Sequence, residues 1–257
     1  MQKYSIHQIA SMLEESTIDH EFIRKLKKDP RKGVLKLIEK REKQESHIKE
    51  QQTKLDEMSK YEKDLYENGF EMIAGVDEVG RGPLAGPVLA AAVILPKHFS
   101  VLGINDSKQL SHEKREEYFH LIGEQAISIG IGMIPSYQVD EVNIYEATKL
   151  AMIQAITRLD PLPHFLLIDA MKLELDIPQL SIVKGDEKSV SIAAASIVAK
   201  VVRDRYMRKL GEEYPNYGFQ SHMGYGTKQH LEAISNFGII SEHRRSFSPI
   251  KEVLASS

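Results

Sequence analysis

The sequence contains no cysteine. That excludes disulfides, thiolate metal sites and cysteine nucleophiles, and it suits a reducing compartment. No apolar run is long enough to cross a membrane, and the first residues, Met1-Gln2-Lys3-Tyr4, lack the apolar core of a signal peptide. The expected location is the cytoplasm. A basic excess is missing too. The 34 Lys and Arg are outnumbered by 37 Asp and Glu, for a net charge of −3, whereas nucleic-acid binders usually carry a broad basic field. The deficit is uneven: residues 1–68 hold 15 bases against 14 acids, and the remainder holds 19 against 23. Acids that bind metal would have much of their charge offset by the ion. Internal repeats and low-complexity tracts are also absent. The length, 257 residues, allows one large domain or one domain with an extension.

What is present is organised around Ile73-Ala74-Gly75-Val76-Asp77-Glu78-Val79-Gly80-Arg81-Gly82-Pro83. An apolar run reads as a buried strand, two adjacent carboxylates follow it, and a Gly/Pro cluster turns the chain. Carboxylates beside a buried strand are costly to desolvate without a partner. Oxygen-only ligands favour a hard cation such as Mg²⁺ or Mn²⁺. An isolated Asp-Glu pair at a turn is more often two solvated acids, so the argument depends on other stretches joining the same site.

Residues 1–68 read as a helical, highly charged extension, and residues 69–257 as the principal domain. In the extension, Ile6, Ile9, Met12 and Leu13 recur at helical spacing, as do Phe22, Ile23 and Leu26. Asp29-Pro30 suggests a helix start. Residues 39–67 are charged and sparsely apolar, which fits a solvated amphipathic helix, and Asn68-Gly69 reads as a stop. From Phe70 on, strands are expected at 72–76, 88–95, 126–134, 164–168 and 180–183. Helices are expected at 111–123, 138–159, 189–211 and 227–236. The fold class is α/β: a mixed sheet that begins as an antiparallel meander and continues with strands separated by helices, with further helices at the C-terminus.

Two more acids occupy equivalent positions. Asp169 ends the strand 164–168, and Asp186 follows the strand 180–183. In open α/β sheets the carboxyl ends of the strands form the ligand crevice. Four converging carboxylates would hold two divalent ions about 3.5–4 Å apart, one helping to generate an attacking hydroxide and the other stabilising a departing 3′ oxygen. Taken singly, Asp169 and Asp186 are as readily turn acids. Asp204, among Arg203, Arg205 and Arg208, reads as a helix-surface ion pair. No metal role is assigned to His222, His230 or His243, because hard ions seldom need imidazole.

The stretch Ala74–Val88 resembles the signature of bacterial ribonuclease HII, the type 2 RNase H. Further matching motifs follow in order: Gly103-Ile104-Asn105-Asp106-Ser107-Lys108-Gln109-Leu110, Ala147-Thr148-Lys149, Ile168-Asp169-Ala170, Val183-Lys184-Gly185-Asp186, Ala193 to Val201, His222-Met223-Gly224-Tyr225-Gly226-Thr227 and His243-Arg244-Arg245-Ser246-Phe247. The resemblance runs from about residue 70 to about 250. It implies an RNase H-like fold, Mg²⁺ or Mn²⁺ as cofactor, and a monomer acting on RNA–DNA hybrids. It also implies incision 5′ of single ribonucleotides in duplex DNA, leaving 3′-hydroxyl and 5′-phosphate ends. Asp77, Glu78, Asp169 and Asp186 fall on the family's metal-binding acids. Gly80, Arg81 and Gly82 fall on the tripeptide whose backbone reads the 2′-hydroxyl, the group that separates RNA from DNA. Tyr225 falls on the tyrosine that stacks on the sugar 3′ of the ribonucleotide. Lys108, Lys184 and Ser196 are similar to phosphate or near-site contacts.

The alternative is a ribonuclease HIII-like hybrid nuclease, but members of that sister group carry a β-rich N-terminal domain and this N-terminus reads as helical. A junction resolvase would not need the Gly-Arg-Gly turn, and a binding module with a vestigial site would not need intact acids. The basic cluster Arg24, Lys25, Lys27, Lys28, Arg31 and Lys32 is a candidate set of phosphate contacts.

Overall fold

The computed structural model describes residues 4–14 and 19–255; the first three residues, read above for a signal peptide, lie outside them. The chain divides into two compact units, Met1–Lys54 and Leu55–Ser257. The described elements of the first unit are helices: α1 (Ile6–Glu14), α2 (His20–Leu26) and most of α3 (Lys32–Met58). Ile9, Leu26, Val34 and Ile38 form its core. Asp19 caps α2 by accepting the Glu21 amide at 2.9 Å. Asp29-Pro30 does not start α3 in the expected way. The Asp29 carboxylate accepts from the Arg31 amide at 3.0 Å and from its guanidinium at 2.9 and 2.7 Å, and the helix begins at Lys32.

The second unit holds α4 (Lys60–Glu67), β1 (Ile73–Val79), β2 (Val88–Ile94), α5 (His112–Gln125), β3 (Ser128–Ile134), α6 (Ser136–Val142), α7 (Ile144–Thr157), β4 (Phe165–Asp169), β5 (Gln179–Ile182), α8 (Gly185–Lys188), α9 (Val190–Glu213), α10 (Phe219–His222), α11 (Lys228–Phe237) and α12 (Ile250–Ala255). The five strands form one sheet in the order β3-β2-β1-β4-β5. β1, β2 and β3 pair antiparallel, while β1–β4 and β4–β5 are parallel. This is the expected meander followed by crossovers, with β1 at the centre.

Both faces of the sheet are covered. Leu89, Ala91 and Val93 point to a core shared with α5 and α9, and Ala90, Ala92 and Ile94 point to a core shared with α7. A strand buried on both sides has no polar alternation, as the run Val-Leu-Ala-Ala-Ala-Val-Ile requires. Gly75 lets α9 lie against β1, since a Cβ there would sit 2.0 Å from the Ser191 carbonyl carbon. Gly130 and Gly132 do the same for α7, whose Ala155 and Ala151 carbonyl oxygens would each be 1.9 Å from an added Cβ.

Three boundaries differ from expectation. β1 runs on through Asp77 and Glu78, because its ladder with β2 continues to Val79↔Leu89. The helix expected at 138–159 is two helices. Asn143, at φ +70°, ends α6 and then caps α7 by accepting the Tyr145 and Glu146 amides at 2.9 and 3.1 Å. The helix expected to reach residue 67 breaks at Ser59, so that α4 stands apart. The stop at Asn68-Gly69 is present, with Gly69 at φ +88° and the Phe70 amide returning to the Leu65 carbonyl at 3.1 Å.

Candidate active site

Because β1 and β4 are parallel neighbours, their C-terminal ends place Asp77, Glu78 and Asp169 side by side. Carboxylate oxygens of the three lie within 4.8 Å of one another. Asp186, on the first turn of α8, adjoins them: the Gly185 amide donates to Asp169 Oδ1 at 2.7 Å. Asp77 is 4% exposed and Asp186 6%. Burial, followed by the charges of Glu78 and Asp169, pushes the Asp77 carboxyl well above the ordinary carboxylate range. Glu78 is raised by burial, with Arg81 pulling the other way, and Asp186 is raised by burial and then by Asp106 and Asp169. All of the clustered donors are carboxylate oxygens, the set a hard divalent ion takes. Crowded, buried or half-buried, and mutually repelling, they fit a cation better than they fit one another.

Two hydroxyls support the centre from behind. Ser196, on α9, hydrogen-bonds Asp77 and lies 2.9 Å from the Ser107 hydroxyl. It is buried. Lys108 is exposed, its ammonium 3.6 Å from Asp186 Oδ2. Burial alone would lower the Lys108 ammonium, but Asp186, Asp106 and Asp77 outweigh that and raise it. Lys184, at φ +57° just before α8, is exposed and lies 3.9 Å from Glu187. Asp106 is the acid that sequence reasoning passed over. It is buried, accepts the Lys108 amide at 2.9 Å, and fixes the loop that presents Lys108 to Asp186.

The Gly80-Arg81-Gly82 turn follows the acids directly. Gly80 has φ +90°, and Arg81 reaches back to Glu78 Oε1 at 3.3 Å. Tyr225 is 47% exposed, and its Cε1 would lie 3.5 Å from a Cβ added to Gly82, so the ring flanks the turn. Two fully buried arginines clasp the turn from below. Arg244 donates to the carbonyls of Gly80 (2.6 Å), Arg81 (2.9 Å) and Gly86 (2.8 and 3.0 Å). Arg203 donates to those of Pro87 (3.0 Å), Ala85 (3.2 Å) and Met223 (3.1 Å). Burial lowers the two guanidiniums to about 9 and about 10, so both stay charged at neutral pH. Asp204 forms its ion pair with Lys200 at 2.7 Å rather than with Arg208, because it faces inward and is 5% exposed.

The ribonuclease HII family model matches residues 74–249, and the ribonuclease HII N-terminal domain matches residues 5–66. The chain is 57% identical over 256 residues to a ribonuclease HII of Bacillus cereus (strain Q1), covering 99% of each. It is 56% identical over 255 residues to that of Bacillus mycoides (strain KBAB4), again covering 99% of each. Among solved structures, the PCNA:RNase HII complex from Archaeoglobus fulgidus aligns with a TM-score of 0.58 at 28% identity, over 69% of this chain and 95% of that one. Ribonuclease H2 from Pyrococcus horikoshii OT3 aligns with a TM-score of 0.62 at 24% identity, over 72% and 97%, a likeness of fold.

Proposed function

The chain belongs to the ribonuclease HII family, and so to the metal-dependent ribonucleases H that act on RNA–DNA hybrids; from that premise we propose that it also incises duplex DNA 5′ of a single embedded ribonucleotide, in the cytoplasm, leaving 3′-hydroxyl and 5′-phosphate ends. One observation carries the reading: the Asp77, Glu78 and Asp169 oxygens cluster within 4.8 Å, and the glycine turn begins two residues beyond Glu78.

Asp77, Glu78, Asp169 and Asp186 would hold the Mg²⁺ or Mn²⁺ ions. A pair of such ions would supply Lewis acidity at the attacking and departing oxygens of an in-line displacement. The chain's own groups do the rest. Ser196 fixes the Asp77 carboxylate, and the Gly185 amide fixes that of Asp169. Lys108 offers a cation to a phosphate beside Asp186. With the carbonyls of Gly80 and Arg81 bound by Arg244, the backbone of the turn is held rigid where glycine allows a sugar 2′-hydroxyl to approach closely. Tyr225 offers an exposed ring beside that turn for the adjoining sugar. The helical described residues of the first unit, and the match over residues 5–66, favour this reading over a ribonuclease HIII-like one.

The test is a duplex with one ribonucleotide, cut in Mg²⁺ and resolved at single-nucleotide precision beside a continuous hybrid. The expected cut lies 5′ of the ribonucleotide. Asp77→Asn and Asp169→Asn should each lose roughly 100-fold or more, beyond the 10–100-fold typical of groups that only support a ligand. Wild-type rates in both variants would remove the assigned roles. A cut confined to the continuous hybrid would remove the single-ribonucleotide activity.

A further inference from the structure

The proposed cutting chemistry uses no histidine, yet three buried imidazoles stand behind Tyr225. His222, His230 and His243 are 8%, 0% and 1% exposed. His222 stacks on His230 with ring centroids 4.6 Å apart, and the Nε2 atoms of His230 and His243 lie 3.1 Å apart.

Their proton positions follow from fixed neighbours. The Ile240 amide can only donate, and it meets His243 Nδ1 at 2.9 Å. His243 therefore carries its proton on Nε2 and donates it to His230 Nε2. That leaves the His230 proton on Nδ1, 3.0 Å from the Tyr225 carbonyl, which can only accept. The same logic fixes His222: its Nδ1 accepts the Gly224 amide at 3.2 Å and its Nε2 donates to the Tyr217 carbonyl at 2.7 Å. Each ring is neutral, and each ring nitrogen has one partner of the right sign. Burial, with the neighbouring imidazole adding to it, lowers His230 and His243 to about 4, in keeping with that neutral state.

The chain of donors runs one way, from Ile240 through His243 and His230 to Tyr225, and it ends on the backbone of the residue whose ring flanks Gly82. The adjacent turn has two left-handed residues, Met223 at φ +51° and Gly224 at φ +85°, and the Gly224 carbonyl accepts the Leu84 amide at 2.8 Å. We propose that His230 and His243 are positioning residues that set the Tyr225 ring against the Gly80–Gly82 turn, and so determine how well a duplex with a single ribonucleotide is selected. This rests on the reading of Tyr225 as a substrate contact. Ordinary core packing would need the volume of the rings; the proposal needs their donor polarity.

The two amide substitutions separate volume from polarity. Asparagine places an amide nitrogen near His230 Nδ1 and can still donate to Tyr225. Glutamine reaches only the Nε2 position and cannot. In a cycle of His230→Gln, His230→Asn and Tyr225→Ala, kcat/KM is measured on a one-ribonucleotide duplex and on a continuous hybrid, with Tm recorded for each protein. We expect Tyr225→Ala and His230→Gln each to lower kcat/KM on the one-ribonucleotide duplex by roughly tenfold, and His230→Gln to add nothing once Tyr225 is alanine, as residues acting through one contact do. His230→Asn should restore most of the loss. Independent, multiplying effects would overturn the proposal, as would His230→Asn failing like His230→Gln at an unchanged Tm. If Tyr225→Ala alone cuts like wild type, the substrate role of Tyr225 falls and this inference falls with it. Should His230→Gln not fold, His243→Asn, which still accepts from Ile240 but cannot reach His230, gives the same cycle with the same expected result.

Discussion

Arg244 is wholly enclosed and, among the described residues, has no carboxylate as a hydrogen-bond partner; its donors go to the carbonyls of Gly80, Arg81 and Gly86. Carbonyls are weaker partners for a guanidinium than a carboxylate, so several are needed to offset its desolvation. The planar fork suits this geometry, because its donors diverge in one plane and reach separate turns of the chain at once. A lysine keeps the charge but not the plane. Arg244→Lys should therefore loosen the Gly-Arg-Gly turn while leaving the acids in place. At about 1.5–3 kcal/mol for a hydrogen bond to a charged group, the expected cost is roughly tenfold or more in kcat/KM on the one-ribonucleotide duplex. Affinity for Mn²⁺, followed by calorimetry, should stay at the wild-type value. Loss of both together would mean that Arg244 holds the acids as well as the turn.

At the scale of elements, the C-terminal segment from α10 to α11 is tied by neutral imidazoles, and this makes its stability depend on acid. His230 and His243 resist protonation in the fold but take up protons near their ordinary value of 6.5 once unfolded. Acid therefore favours the unfolded chain: the stabilisation is complete above about pH 6.5 and is lost as the pH falls towards about 4. The raised carboxyls of Asp77, Glu78 and Asp186 act in the opposite sense, so the comparison must be with a protein that shares them. The Tm advantage of wild type over His230→Asn should shrink between pH 7 and pH 4.5. A constant difference would show that the imidazole charge state has no weight in stability.

The same elements show what the sequence reveals and what it hides. The strand at β1, the start of α5, where Ser111 accepts the Lys114 amide at 3.2 Å, and the order of the acids were all legible. Each depends on near neighbours in the chain. The break at Asn143 was not, because apolar residues keep helical spacing across it. The roles of Arg203, Arg244 and the histidines were not legible, for a simple reason. Charged and polar residues are mostly exposed, and nothing in the chain near them names the distant carbonyls they bind. Asp106 was hidden by its neighbour Lys108, the more conspicuous phosphate partner.

At the scale of the whole molecule, the family's N-terminal domain match ends at residue 66, whereas the compact units divide at 54 and 55. The segment between, α4, belongs energetically with the sheet. Its Glu62 is buried and accepts from the Ser189 hydroxyl (2.6 Å), the Ser191 hydroxyl (2.6 Å) and the Ser191 amide (3.1 Å), all at the first turn of α9. A carboxylate there also favours the helix dipole. Within the first unit, Lys25, Lys27 and Arg31 of the basic cluster are in ion pairs with Glu21, Glu42 and Asp29. Two truncations therefore give different expected outcomes. Removing residues 1–54 should keep Tm and, if the remaining bases contact phosphate, raise KM and flatten its salt dependence. Removing residues 1–68 should in addition lower Tm, because the Ser189 hydroxyl and the Ser191 hydroxyl and amide at the start of α9 lose the Glu62 carboxylate. Equal Tm for the two truncations would deny Glu62 that role, and unchanged kinetics across a salt titration would deny the first unit a hold on the duplex.

The clasp of Arg203 and Arg244 also has a consequence in time. The last of the four acids, Asp186, precedes Arg244 in the chain by 58 positions. At about 5–20 residues per second, a ribosome takes roughly 3–12 s to cross that gap. All four acids are thus synthesised before the arginine whose guanidinium holds the Gly80 and Arg81 carbonyls, and only the final stretch of translation completes that clasp.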